Sequence, residues 1–186
     1  MPLNSKIAPD LSLNTMELPE NLEPDNPLWQ FALAFWQHVP AQEACLALQS
    51  EGWSVTRILC AGWLALNGRA YAGIEDATVT EWRDRVTGSL RAIRTSVPKA
   101  QASYNALRTR LASLELEAER IELALAWQSL TTPHSEQSTM NKSDILIRSN
   151  LAAAAPESGI TADTRQLLST LGDFLIALNQ GYTQPC

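Results

Sequence analysis

Between positions 100 and 125 the residues Ala100, Tyr104, Leu107, Leu111, Leu114, Ala118, Ile121 and Leu125 recur at alternating steps of four and three. That period of 3.5 lines them up as one seam on an α-helix and scatters them over both faces of a strand. The pattern predicts a helix from about 99 to 130, on the order of 45–50 Å long. This is longer than a small helical domain needs, so the helix is expected to pair with its own preceding helix, a second copy or another protein. With Tyr104 at heptad position a, Arg108 and Arg110 flank the seam in one heptad, and Glu115, Glu117 and Glu122 flank it in the next two. Two such helices laid antiparallel match opposite charges about a centre near residues 112–114, which a symmetric homodimer satisfies. A folded-back fourth helix, being basic, matches only the acidic half. The candidate partner-binding residues are Tyr104, Leu107, Leu111, Leu114 and Ile121.

The other segments are helical as well. In "LWQFALAFWQH" (28–38), Leu28, Phe31, Ala32, Phe35 and Val39 form one stripe, with Trp29, Leu33 and Trp36 as its shoulder. Together they cover roughly 200°, wider than a surface helix needs, so more than one neighbour should cover this helix. Asn26 is its expected N-cap and Pro27 its first residue. A second helix restarts at Pro40 and stops at Glu51-Gly52. The third, "SVTRILCAGWLALNG", runs from a Ser54 cap to an Asn67-Gly68 stop, is apolar nearly all round, and is the candidate central helix. Gly62, with Ala61 and Ala65, leaves a small face for close helix approach. In the fourth, Thr78 and Glu81 read as a capping box, and Val79, Trp82, Val86, Leu90, Ile93 and Val97 form the apolar stripe. Pro98 breaks the path. A polar loop at 131–141 precedes two C-terminal helices within 142–186, expected to pack on the 27–130 domain. With no alternating strand pattern, the fold class is all-α, a bundle of six to seven helices.

Several blocks carry a resemblance. "LWQFALAFWQHVPAQEACLALQSEGWSVTRILCAGWLALNGR", "WRDRVTGSLRAIR" and "ELEAERIELALA", over about residues 27–127, resemble an uncharacterised family of small proteobacterial helical proteins. Its features are a Leu-Trp-x-Phe opening, an "ACLALQ" second helix, a "CLWLA-x-x-GR" third helix and a Trp-Arg…Leu-Arg fourth helix. The chain departs from the pattern where Ala61-Gly62 stands in the Cys–Leu position. The resemblance implies a bacterial cytoplasmic helical protein; it implies no activity, and no catalytic residues carry over from it.

Charge narrows the functions. The chain's formal net charge of −6 disfavours nonspecific nucleic-acid binding by the whole molecule. Residues 1–26 read as a flexible acidic arm, with neither a signal peptide nor, anywhere, a transmembrane run. Cys45, Cys60 and Cys186 form no disulfide framework and point to a reducing cytoplasm. His38 and His134 make no metal-ligand cluster with them, and phosphate-binding glycine motifs are absent. No catalytic residue, cofactor or metal is therefore expected. From Arg83 to Arg110 there are seven basic residues and one acid, Asp84. Arg83, Arg91 and Arg94 share an arc of about 80°. They either pair with the chain's own glutamates or, with Trp82, form an anion-binding surface. Of the six tryptophans, Trp29, Trp36, Trp63 or Trp82 is a candidate pocket wall beside that shoulder. The expected function is a non-catalytic adaptor or regulator acting through the 99–130 helix. The alternatives are a small-molecule or anion-binding module and a nucleic-acid-associated regulator.

Overall fold

The structure, a computed structural model, describes residues 15–131 and 144–181. The expected flexibility of residues 1–14, the loop with His134, and Cys186 lie outside the described residues. From Leu22 onward the arm is anchored: Leu22 packs against the core, Asp25 pairs with Arg120, and Asn26 is buried.

Local capping chemistry sets the first three helices. Asn26 Oδ1 accepts from the Trp29 N–H at 2.9 Å and starts α1 (Pro27–Trp36). His38 Nδ1 accepts from the Ala41 N–H at 3.3 Å and starts α2 (Val39–Ser50). Val39 is thereby the exposed first residue of α2 and not part of the α1 stripe. Ser54 Oγ accepts from the Arg57 N–H at 3.2 Å and starts α3 (Val55–Leu66), which ends at a left-handed Gly68. Eight of the twelve α3 residues are buried, and α1, α2, α6, α7 and α8 all pack on it. A Cβ on Gly62 would lie 3.2 Å from Leu175 Cδ1 and 3.4 Å from Phe31 Cζ. That close approach admits both α1 and α8.

The next helix departs from its predicted pattern. Asp76, not Thr78, is the N-cap of α4 (Ala77–Trp82), its carboxylate accepting from the Thr78 N–H at 2.8 Å. Glu81 pairs with Arg85 instead of closing a capping box. The helix then widens into a π segment (Arg83–Thr87) before resuming as α5 (Gly88–Ser96). The Gly88 N–H bonds back to the Arg83 carbonyl, and a Cβ there would sit 3.0 Å from that oxygen. The extra residue in the turn moves the buried position from Val86 to Thr87 and leaves Ile93 half exposed.

Val97 is extended before Pro98, and a 3-10 turn (Ala102–Tyr104) reverses the chain into α6 (Asn105–Thr131). The long helix thus begins at 105, not 99. At 27 residues it is about 40 Å long. Ala100 and Tyr104 precede it. Helices α4 to α6 are an antiparallel hairpin, and among the described helices α5 touches only the π segment and α6. Then follow α7 (Asp144–Ala153) and α8 (Ala162–Gly181), the latter opened by reciprocal bonds between Thr161 and Thr164. With α4, the π segment and α5 counted as one rod, the described residues form seven helices. One hydrophobic cluster joins residues of α1–α3, α6, α7 and α8.

Candidate functional site

The α1 shoulder is only partly covered: Trp29 and Trp36 are half-buried, with Arg120 of α6 over the Trp29 ring at 5.7 Å, and Leu33 is exposed. Trp29, Leu33 and Trp36 face a cavity of about 500 Å³, closed on another side by Trp53 and the first turn of α3. This volume suits a small molecule. Trp53 reaches the wall because Gly52, at φ +85°, turns the chain after α2 and lets the Trp53 N–H bond to the Leu48 carbonyl at 3.1 Å.

The opposite side is charged. Arg57, Arg83 and Arg91 line it together with Glu75, Glu119 and Glu122, three cations against three anions. Arg83 Nη1 and Nη2 donate to the two Glu75 oxygens at 2.9 and 2.6 Å, and its Nε donates to Glu122 at 2.7 Å. Arg91 donates from Nε to Glu115 at 2.9 Å and from Nη2 to Glu119 at 2.8 Å. Arg94 pairs with Glu115. Arg57 Nη2 donates to the carbonyls of Gly73, Ala153 and Ala155, while its Nε is buried without a partner. Gly73 is fixed here: its φ is +72°, and a Cβ would come within 2.5 Å of the Ala153 oxygen.

The π segment makes this arrangement possible. In an uninterrupted α-helix, Arg83 and Arg91 would be about 80° apart; absorbing one residue brings them to within about 20°. Both then face α6, where the glutamates recur at three- and four-residue steps. The alternative in which the arginines pair with the chain's own acids is the one observed, so Arg83, Arg91 and Arg94 are not the open cationic surface a phosphate backbone requires. Trp82 is also diverted: its indole N–H donates to the Ala118 carbonyl at 2.9 Å. Trp63 packs edge-on against Trp127, with ring centroids 5.1 Å apart. Of the four candidate tryptophans, Trp29 and Trp36 line the cavity. Trp53 and Arg57 were missed; their signal was a Gly-Trp step after a helix stop and the lone charge on an apolar helix.

Electrostatics separates the glutamates. Burial pushes the Glu115 carboxyl up, but hydrogen bonds from Arg94 and Arg91 outweigh it, so its pKa is held below the usual range. Glu119 is raised, because burial outweighs Arg91. Burial pushes Arg83 down, and its bonds to Glu75 and Glu122 more than restore it, so its pKa is raised. The depressed Glu115 stabilises the fold above the ordinary carboxylate pKa, a contribution lost as pH falls through its own pKa. The raised Glu119 acts oppositely: its contribution is complete below the ordinary value and lost as pH rises through its own. Urea midpoints from about pH 3 to about pH 7 are expected to show a shallower acid loss in Glu115→Gln than in wild type. Glu119→Gln is expected to remove the component of stability that declines as pH rises. Parallel pH curves for wild type and both variants would contradict these assignments.

The heptad residues divide between two environments. Leu107 and Leu114 are about half exposed, Tyr104 is exposed, Leu111 and Ile121 are partly covered, and Ala118 and Leu125 are buried.

The model of the family described as "Protein of unknown function (DUF2390)" matches residues 27–126, more than half of the chain. The chain belongs to that family. The DUF2390 region holds α1 to α5 and most of α6, with Trp29, Trp36, Trp53 and all six charged residues lining the cavity. Ala154 and Pro156, which close one edge, lie beyond it. No curated protein and no solved structure matches the chain.

Cys45 and Cys60, the two described cysteines, are poorly ionised thiols. Cys45 is buried, which pushes its thiol up to about 12, and burial raises Cys60 further. His38 caps α2 and stacks on Phe174 with centroids 4.1 Å apart. Among the described residues no three of His, Cys, Asp and Glu converge as metal ligands, and no helix is long and apolar enough to cross a membrane.

Proposed function

We propose that the protein is a binding module for a small amphipathic molecule, in the reducing interior of a bacterial cell. The supporting observation is the cavity, with tryptophans on one side and a balanced arginine–glutamate network on the other. Its aromatic wall suits a flat or chain-like apolar body. Its charged side offers three guanidinium groups and three carboxylates, so cationic donors and anionic acceptors both face the cavity. A ligand head carrying both a donor and an acceptor, such as a zwitterion or a primary amide, meets both without displacing a native ion pair. A phosphate would have to compete with Glu75, Glu119 and Glu122. The bacterial, intracellular setting rests on the sequence resemblance and on the two buried free thiols.

Thermal shift and tryptophan fluorescence with octanoate, octylamine, octanamide and zwitterionic α-aminooctanoate test the reading. At equal concentration the zwitterion and the amide are expected to stabilise most; a ligand at a hundred times its Kd adds about 2.7 kcal/mol. Leu33→Trp, which fills the cavity from a half-exposed position, is expected to abolish the shift. No response to any of the four, or an undiminished response in Leu33→Trp, would sink the proposal.

A second reading, an adaptor working through protein–protein contacts of α6, is favoured by the half-exposed Leu107 and Leu114. The readings are compatible, because that strip and the cavity occupy different sides of α6.

A further inference from the structure

We infer that the exposed strip of α6 docks onto a second copy of the chain, antiparallel about a two-fold axis near residues 112–113. This goes beyond ligand binding and does not depend on it.

The open face follows from helix geometry. Taking Leu114 as the origin at 100° per residue, Leu107 lies at about +20°, Leu111 at about +60°, Arg110 at about −40° and Glu117 at about −60°. Glu115 and Arg108 lie near +100° and +120°, where α5 sits: Glu115 binds Arg91 and Arg94, and Arg108 Nη1 binds the Arg94 and Val97 carbonyls. The hairpin therefore covers one flank of the seam and leaves the other open. On that open flank stand one base and one acid, a heptad apart. Arg110 is exposed and pairs with no acid among the described residues. Glu117 is 70% exposed, and its nearest cation, Arg120 Nη1, is 4.0 Å away.

The charges select the occupant. Reversed about the two-fold, Leu111 of one copy meets Leu114 of the other and Arg110 falls beside Glu117, each contact occurring twice. A base and an acid one heptad apart on one flank are complementary to their own antiparallel image. A parallel mate would turn the Arg110–Glu117 flank toward the flank of Glu115 and Arg108, which α5 already occupies. Leu116, which lines the cavity, points about 160° away from the strip, so the pair would carry two unobstructed cavities.

Analytical ultracentrifugation of the full chain is the test, with circular dichroism to check folding. Wild type is expected to dimerise and Leu114→Glu to be a folded monomer, since its site is already half exposed. Arg110→Glu and Glu117→Arg should each weaken self-association by roughly tenfold, by placing like charges together twice. A mixture of these two single variants should restore the dimer, as should the double variant R110E/E117R. A monomeric wild type, or a dimer whose affinity ignores these exchanges, would overturn the inference.

Discussion

Asn150→Leu is expected to remove about 3–5 kcal/mol of stability, a large part of what a domain of this size holds. Asn150 is 2% exposed on α7 and joins three backbone groups from other parts of the fold. Its Nδ2 donates to the carbonyls of Ala61 and Arg69 at 3.1 and 2.9 Å, and its Oδ1 accepts from the Tyr71 N–H at 3.0 Å. Leucine fits the volume but offers nothing to these groups. The buried Tyr71 N–H would lose its acceptor, and two carbonyls would each lose a donor. The readout is the urea midpoint at unchanged m-value; a loss under about 1 kcal/mol would show that the loop after α3 finds other partners. Asn150→Asp should also be costly, because it keeps the acceptor but sets a carboxylate against two carbonyls. The position matters for reading the family, since α7 lies outside the matched 27–126 and yet covers α3 within it.

What was legible in the sequence was local. Asn26-Pro27, Ser54 and Gly68 each act within one turn, so their residue types alone give the start of α1 and both ends of α3. The apolar excess of α3 and α1 was legible too, but its use was not. The width of the α1 stripe signalled cover on several sides; the structure covers Leu28, Ala32 and Phe35 and leaves Trp29, Leu33 and Trp36 around a cavity. Apolar periodicity cannot separate a wall that meets a neighbour from one that meets space. The π segment was equally hidden, because an α-helical stripe through Val86 and Leu90 is a good local pattern. The wider turn goes with contacts to α6 that the local pattern does not show, among them the pairing of Arg83 and Arg91 with its glutamates. The heptad presents the seam of α6 as one feature, yet Ala118 and Leu125 belong to the core while Leu107 and Leu114 stay outside. Where the globule ends along a helix depends on the neighbouring helices, and the heptad does not record it.

Arg83→Leu should destabilise by about 3–5 kcal/mol as well, for an electrostatic reason. The Glu122 and Glu75 side chains are 3% and 9% exposed, and Arg83 binds both, with Glu75 held by two parallel N–H bonds. Removing the guanidinium strips Glu122 of its ion-pair partner in a buried setting and leaves Glu75 only the longer contact to Arg57 at 3.8 Å. Arg83→Lys should recover only part of the loss, since one ammonium cannot reproduce a planar fork bridging two carboxylates. Arg83→Leu combined with Glu122→Leu should be more stable than Arg83→Leu alone, because an apolar pair in place of a buried ion pair is often neutral. Urea unfolding of the three variants orders them: double above single, with lysine between wild type and single. If the double were no better than the single, the loss in Arg83→Leu would come from packing and not from the stranded Glu122 charge. The same variants separate fold from site. The double removes one base and one acid from the charged side of the cavity, so it should lose affinity for the zwitterionic probe while holding the fold that Arg83→Leu alone weakens.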